Sequence, residues 1–118
     1  MNIEEIREYC LSFKAVTEHF PFDEFTLVFK VMDKMFALIP LDVAEKSITL
    51  KCDPEKAVEL RSRHDGVIPG YHFNKKYWNT VYITPDLSDK LLKEWISDSY
   101  DEVVKKFSKP KQKQLIEL

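Results

Sequence analysis

The apolar residues of this chain recur with two different periods. In residues 3–13, 55–64 and 91–107 they return every three or four positions, which is typical of amphipathic helices. A residue suited to cap a helix precedes each of these segments. The three caps are Asn2, Asp53 and Ser88. The last helix is predicted to be the longest, and we expect Trp95 and Tyr100 on its apolar stripe to be buried.

Four other segments favour β-strands. Apolar and polar residues alternate in 26–31 and 47–52, and residues 78–83 resume a strand after a loop predicted for 67–76. Residues 35–39 follow the first of these strands across a tight turn, so the two predict a hairpin. The second strand of the hairpin is apolar on both faces, as strands inside a sheet are. Simple alternation places on one face Phe36 and Leu38, and on the other Met35, Ala37 and Ile39.

The order of these elements favours an α+β fold, in which helices pack on one face of an antiparallel sheet joined by short connections. The chain has 118 residues, of which 44% are hydrophobic, and this is the size of one domain. We place that domain at residues 1–108. Residues 109–118 are basic and contain Pro110, so we expect a frayed C-terminal tail from which Leu115, Ile116 and Leu118 are able to dock.

Charge and composition narrow the functional classes. The net charge is −2, and the isoelectric point near 5.9 argues against an indiscriminate polyanion binder. Any nucleic-acid surface must therefore be a local patch. No apolar run is long enough for a membrane helix, and the acidic N-terminal segment lacks the pattern of a signal peptide. We expect a cytoplasmic protein that is a monomer and does not engage membranes.

The cysteines and histidines show no catalytic or metal-binding pattern. Cys10 and Cys52 are far apart and form no CxxC motif, so we expect free, buried thiols in a reducing compartment. His72 has no acidic residue beside it in the sequence to orient it, and His19 and His64 are equally isolated. We predict no catalytic residue, no metal site and no cofactor, and we favour a binding protein over an enzyme.

The segment PGYHFNKKYWNTV, residues 69–81, concentrates most of the candidate chemistry. Ammonium groups neutralise phosphate, aromatic rings stack on bases, and amides recognise polar edges. The candidate binding residues of the segment are Tyr71, His72, Asn74, Lys75, Lys76, Trp78 and Asn79. A purely structural interpretation stands beside this one. In it Pro69 and Gly70 form a turn, Trp78 packs on a helix, and asparagine side chains satisfy the backbone of the loop.

Four stretches of the chain, read together, resemble the MmcQ/YjbR family. They are CLSFKAVTEHFPF, TLVFKVMDKMFAL, LKCDPEKAVELR, and PGYHFNKKYWNTV followed by SYDEVVKK. The resemblance implies a CyaY-like fold, in which a twisted antiparallel sheet packs against two long helices. It also implies the role proposed for that family, a double-wing DNA-binding domain. Two features depart from the family pattern, namely a hairpin turn at Met32 and Asp33 without glycine, and the acidic overall charge.

Three functions remain open on this reading. The first is DNA binding, with the hairpin turn and the loop after Gly70 as wings, and with Lys30, Lys75 and Lys76 on phosphates. The second is a pocket for a small anionic ligand, lined by Tyr71, His72, Lys75 and Trp78. The third is a protein-interaction adaptor on a sheet face that no helix covers. That face would carry Thr26, Val28, Trp78, Thr80 and Tyr82.

Lysines near the C-terminus could extend a phosphate-binding surface if the fold brings them to Lys75 and Lys76. These residues are Lys105, Lys106, Lys109, Lys111 and Lys113. Positive charge at a helix C-terminus also complements the helix dipole, which explains them without any ligand.

Overall fold

The sheet and helices cover most of the chain, and the computed structural model describes residues 1–118. The elements are α1 (Ile3–Leu11), β1 (Val16–His19), β2 (Thr26–Val31), β3 (Lys34–Pro40), β4 (Ser47–Lys51), α2 (Pro54–Arg63), β5 (Val67–Pro69), β6 (Trp78–Tyr82), α3 (Asp89–Val104) and α4 (Lys109–Glu117). The six strands form one antiparallel sheet in the order β1-β2-β3-β4-β6-β5. The predicted α+β class is confirmed. None of the four helices combines the length and the apolar character needed to cross a membrane.

A single hydrophobic core lies between the helices and one face of the sheet. Its members come from α1, α3 and α4 and from alternate residues of the central strands, and Leu60 of α2 packs against it. Trp95 and Tyr100 are 5% and 9% exposed, so their predicted burial is confirmed. Because every helix contributes to this one core, the opposite face of the sheet carries no helix.

The predicted caps fix the starts of three helices. The side chain of Asn2 accepts a hydrogen bond from the N–H of Glu5, whose carboxylate accepts one from the N–H of Asn2. Asp53 and Ser88 accept bonds from backbone N–H groups in the first turns of α2 and α3. These bonds satisfy donors that have no partner within a helix.

A β-bulge in β3 changes which of its side chains face the core. Phe29 pairs with Ala37, whereas Lys30 pairs with Met35, so Phe36 is an extra residue on β3. Phe36 and Ala37 therefore both face the core, where the Phe36 ring lies 5.5 Å from the ring of Tyr100. The predicted grouping of Phe36 with Leu38 is wrong, because simple alternation makes no allowance for an inserted residue.

Ser99 of α3 fills the gap that opens between β3 and β4 beside this bulge. Its hydroxyl donates to the carbonyl oxygen of Phe36 at 2.5 Å and accepts from the N–H of Lys51 at 2.8 Å. Ser99 is fully buried. The middle of α3 thus supplies the hydrogen bonds that the two diverging strands no longer exchange.

The C-terminal segment forms α4 and is not a frayed tail. Ser108 caps this helix by accepting from the N–H of Lys111. Pro110 lies in the first turn, where its missing N–H would have no helical partner. Leu115 is buried in the core, while Ile116 and Leu118 are exposed. The expected tail is therefore an ordered helix anchored by one leucine.

Two short strands were absent from the predicted set, and both lie at the edges of the sheet. β1 pairs with β2, and β5 pairs with β6. The latter occupies the start of the segment predicted as a loop, so the loop proper begins at Gly70 and ends at Tyr77.

Candidate functional site

The loop of residues 70–77 joins β5 to β6 and is held by its own backbone. The N–H of Gly70 donates to the carbonyl oxygen of Trp78 at 2.8 Å. A Cβ atom at Gly70 would lie 3.0 Å from the Cβ of Trp78 and 3.2 Å from its carbonyl oxygen, so this close approach favours glycine. The Asn74 carbonyl oxygen accepts from the N–H groups of Tyr77 and Trp78, and its side chain accepts from the N–H of Lys76. Asn74 therefore shapes the loop.

The loop sends its side chains to different sides of the molecule. Tyr71 and His72 are exposed and line a cleft on the helix-free face of the sheet. The Lys75 ammonium group lies 4.9 Å from the centre of the Tyr71 ring. Trp78 is half-buried, and its ring lies 5.5 Å from that of Phe73. The predicted residues thus do not converge on one point.

Asn79 lies inside the protein and links β6 to α2. It is 2% exposed, its amide oxygen accepts from Arg61 at 2.9 Å, and its amide nitrogen donates to the Ala57 carbonyl oxygen at 3.2 Å. Both ends of the amide therefore have protein partners. This arrangement follows the structural interpretation of Asn79 and removes it from the accessible surface.

Two lysines lie over the ring of Tyr77, at the other side of the loop. The ammonium groups of Lys76 and Lys106 lie 5.7 Å and 4.7 Å from the centre of the Tyr77 ring. The N–H of Cys52 donates to the Tyr77 carbonyl oxygen, which places the end of β4 beside them. We call this basic region the lysine surface. It consists of Lys76 and Lys106 at Tyr77, of Lys51 at the end of β4, and of Lys34 and Lys105, whose charges act on Lys51.

The pKa of Lys51 reports the electrostatics of the lysine surface. Partial burial lowers the pKa of its ammonium group, and the positive charge of Lys106 lowers it further. Lys34 and Lys105 act in the same direction, whereas the carboxylate of Glu102 raises this pKa. Glu102 is already paired with Lys105 at 2.7 Å. The lysine surface therefore brings several like charges close together, with the carboxylates of Glu102 and Asp53 near Lys105.

The sequence pattern predicts only part of the lysine surface. Lys76 was a predicted site residue, and Lys106 is one of the lysines whose position only the fold could decide. The sequence pattern does not distinguish Tyr77, which stands directly between Lys76 and Trp78. Lys30 lies in β2, opposite Thr17. Three strand spacings separate β2 from β6, a distance of roughly 14 Å, so Lys30 lies apart from the Tyr77 ring.

The helix-free face of the sheet forms the base of a large open cleft, which we call the sheet cleft. Its floor consists of Leu38, Ser47, Thr49, Thr80 and Tyr82. Residues from the loops 20–25, 41–46 and 70–73 form its walls, and its volume is about 930 Å³. The hydroxyl groups of Thr49 and Thr80 are hydrogen-bonded at 2.8 Å. Ser47 and Thr49 are only 6% and 5% exposed, so the face opposite the core is deeply recessed.

The remaining reactive side chains do not assemble into a site. No group of three or more His, Cys, Asp or Glu residues is placed to hold a metal ion. His19 bonds to the hydroxyl of Thr17, and His64 packs edge-on against Trp95. A small cavity of about 20 Å³ between β4, α2 and α3 has room for a water molecule at most.

Sequence comparison relates the chain to two bacterial proteins of similar length. It is 31% identical over 118 residues to the Uncharacterized protein YjbR of Escherichia coli (strain K12), and the match covers 100% of both chains. It is 34% identical over 112 residues to the Uncharacterized protein YbdF of Escherichia coli O157:H7, covering 95% of this chain and 92% of that one.

Solved structures share the fold. The crystal structure of Deinococcus radiodurans protein DR2400 is 40% identical and has a TM-score of 0.90, covering 97% of this chain and 87% of that one. A crystal structure of a Pseudomonas syringae protein is 28% identical and has a TM-score of 0.74, covering 86% of this chain and 98% of that one. The YjbR family model matches residues 11–102. The resemblance seen in the sequence is thus confirmed, and the chain belongs to the YjbR family.

Proposed function

We propose that this protein binds duplex DNA by contacting its phosphates through the lysine surface. The observation that supports the proposal most directly is the shared position of Lys76 and Lys106 over Tyr77, at 5.7 Å and 4.7 Å from the ring centre. Two ammonium groups from a loop and from the end of α3 thereby converge on one exposed region. Like charges held together in this way attract a polyanion that neutralises them.

The topology of the sheet supports a duplex as the partner. β3 begins at Lys34, directly after the hairpin turn, and β4 ends at Lys51, which pairs with Trp78 at the start of β6. Because the strands are antiparallel, the hairpin turn and the loop 70–77 lie at the same end of the sheet. Two such projections on either side of a basic surface suit the grooves of a duplex.

In this proposal, DNA binding depends on the charge of the lysine surface and not on the net charge of the chain. The chain carries a net charge of −2, but phosphate contacts depend on the potential near the binding surface. Within the lysine surface only Lys105 is paired, with Glu102. The free thiols of Cys10 and Cys52 suit a reducing compartment, so we place this binding in the cytoplasm.

Replacement of both Lys76 and Lys106 by alanine tests the proposal. We expect the double variant to bind unrelated duplexes more weakly by nearly the same factor, because phosphate contacts carry little base information. The slope of log K against log salt concentration should fall by about two, since each lost phosphate contact removes roughly 0.9 of a released counterion. Fluorescence anisotropy of a labelled duplex, titrated at several low salt concentrations, measures both quantities.

The matched control replaces Lys90 and Lys93 with alanine. These exposed lysines lie near the start of α3, and the helical rise puts them roughly 20 Å from Lys106. The control changes the net charge by the same amount, and its affinity and salt slope should match those of the unaltered protein. Equal losses in both double variants would refute a role for the lysine surface. So would unaltered protein that binds DNA no better than an unrelated acidic protein of similar size.

A further inference from the structure

The sheet cleft differs from the lysine surface in the charge of its lining. Apart from two tyrosines, its ionisable residues are the carboxylates of Asp23 and Glu45 and the imidazole of His72. No lysine or arginine lines the cleft, in a chain that contains 18 of them. A lining of this kind favours a positively charged occupant over an anion.

The carboxylate of Asp23 is fixed in place at the wall of the cleft. It accepts hydrogen bonds from the N–H groups of Phe25 and Thr26 at 2.8 Å and 2.6 Å, and from the Thr26 hydroxyl at 3.1 Å. The bonds from Phe25 and Thr26 lower the pKa of the Asp23 carboxyl group, so it stays ionised at neutral pH. Glu45 adds a second carboxylate from the loop 41–46.

Aromatic rings occupy the walls and floor of the same cleft. Phe22, Tyr71, Phe73 and Tyr82 all line it, and Phe22 and Tyr71 are 62% and 61% exposed. Such exposure of two large rings at one opening marks a binding surface. The face of an aromatic ring attracts a cation. The ammonium group of Lys75 lies 4.9 Å from the centre of the Tyr71 ring, so a bound cation would use the rings of Phe22, Phe73 and Tyr82.

We propose that the sheet cleft binds a small organic cation with an apolar body, such as an aromatic amine or a quaternary ammonium ion. The volume of about 930 Å³ is sufficient for a ligand of this size. The aromatic walls would cover its apolar body, and Asp23 and Glu45 would balance its charge. The hydroxyl groups of the floor would form hydrogen bonds with polar substituents of the ligand. This site is independent of the lysine surface, which attracts the opposite charge.

The test compares two ligands of similar size and opposite charge. Benzyltrimethylammonium and phenylmethanesulfonate are titrated separately into the isotopically labelled protein, and the amide resonances are followed by NMR. We expect the cation to shift the signals of cleft residues such as Leu38, Ile68 and Thr80 in a saturable manner. The sulfonate should bind there at least about tenfold more weakly, because the carboxylates repel it. Equal affinity for both ligands, or cation shifts confined to residues outside the cleft, would overturn the proposal.

Two pairs of variants assign the binding to the proposed groups. Glu45→Gln should weaken cation binding about threefold, whereas Asp42→Asn, in the same loop but outside the lining, should leave it unchanged. Phe22→Ala should weaken it by a similar factor, whereas Phe20→Ala should not, since Phe20 is 49% exposed but does not line the cleft. All four positions are exposed, so the variants should fold. Equal effects within either pair would overturn the proposal.

Discussion

At the scale of single residues, the turn between β2 and β3 holds the backbone of two non-glycine residues in an unfavourable conformation. Met32 and Asp33 have φ angles of 46° and 70°, in the left-handed region. Two successive left-handed residues form the turn that best matches the twist of a two-residue hairpin, and Asn-Gly is its usual sequence. A residue with a Cβ atom adopts this conformation at a cost of roughly 1 kcal/mol. The pairing of β2 with β3 therefore outweighs the preference of these two residues for negative φ angles.

Glycine at position 33 should relieve that strain. We expect Asp33→Gly to raise the free energy of unfolding by about 0.5 kcal/mol, because the greater freedom of glycine in the unfolded chain offsets part of the gain. Urea denaturation followed by tryptophan fluorescence measures the change. Asp42→Gly serves as control, since Asp42 is exposed and has no positive φ, and it should not stabilise the protein. A lower midpoint for Asp33→Gly would show that its side chain contributes more than its conformation costs.

At the scale of elements, the stability of α4 depends on the burial of one leucine. Its first turn is stabilised by Ser108 and Pro110, but a helix of 9 residues is too short to be stable alone. Leu115 is 5% exposed, and the next residue, Ile116, is 75% exposed. These neighbours therefore separate the effect of packing from that of helix propensity.

Truncation of each neighbour to alanine tests this dependence. Leu115→Ala should lower the free energy of unfolding by about 2 to 4 kcal/mol, because it leaves a cavity in the core. Ile116→Ala should change it by less than about 0.5 kcal/mol, as exposed substitutions usually do. Equilibrium urea unfolding gives both values. Similar stabilities for the two variants would mean that α4 does not contribute to the core.

The same elements show where sequence patterns succeed and fail. Three helices begin directly after the N-cap residues Asn2, Asp53 and Ser88 and have a regular apolar face. They were predictable because local hydrogen bonds determine where they begin. Pro110 was ambiguous, since proline both ends a helix and suits the first turn of the next one. The bulge at Phe36 leaves no local signal, and β1 and β5 are too short to show a period.

At the scale of the whole molecule, the candidate sites depend on contacts between distant segments. Lys51, Lys76 and Lys106 come from a strand, a loop and the end of a helix, and only the topology of the sheet brings them to Tyr77. Sequence patterns identified Lys76 as a candidate through its local surroundings. They could not identify Lys51, because its alternation with Ile48 and Leu50 predicts only a strand.

The buried thiols couple their ionisation to global unfolding. Burial raises the pKa of Cys10 to about 12 and that of Cys52 to about 11. The corresponding groups in the unfolded chain titrate near pH 8.5. Between these values the folded state retains protons that the unfolded state loses, so stability is complete below about pH 8.5 and falls as the pH rises toward 12.

Replacement of Cys10 by alanine isolates its share of this pH dependence. Above about pH 9, the stability of the unaltered protein should fall more steeply than that of Cys10→Ala, by up to about 1.4 kcal/mol per pH unit for one proton. Urea titrations between pH 7 and pH 10.5 measure the difference. The comparison cancels the contribution of Tyr100, whose pKa burial also raises. Parallel curves for the two proteins would show that Cys10 ionises freely in the folded state.

The two outer strands of the sheet determine how it resists uncontrolled aggregation. An unpaired strand edge offers N–H and C=O groups to any other exposed strand. On one side β1 has only 4 residues, and its Glu18 is bonded to Arg7 of α1. On the other side β5 has 3 residues and ends at Pro69, which has no N–H to donate. Neither edge is therefore a long template on which fibrillar or amorphous aggregates could grow during folding or storage at high concentration.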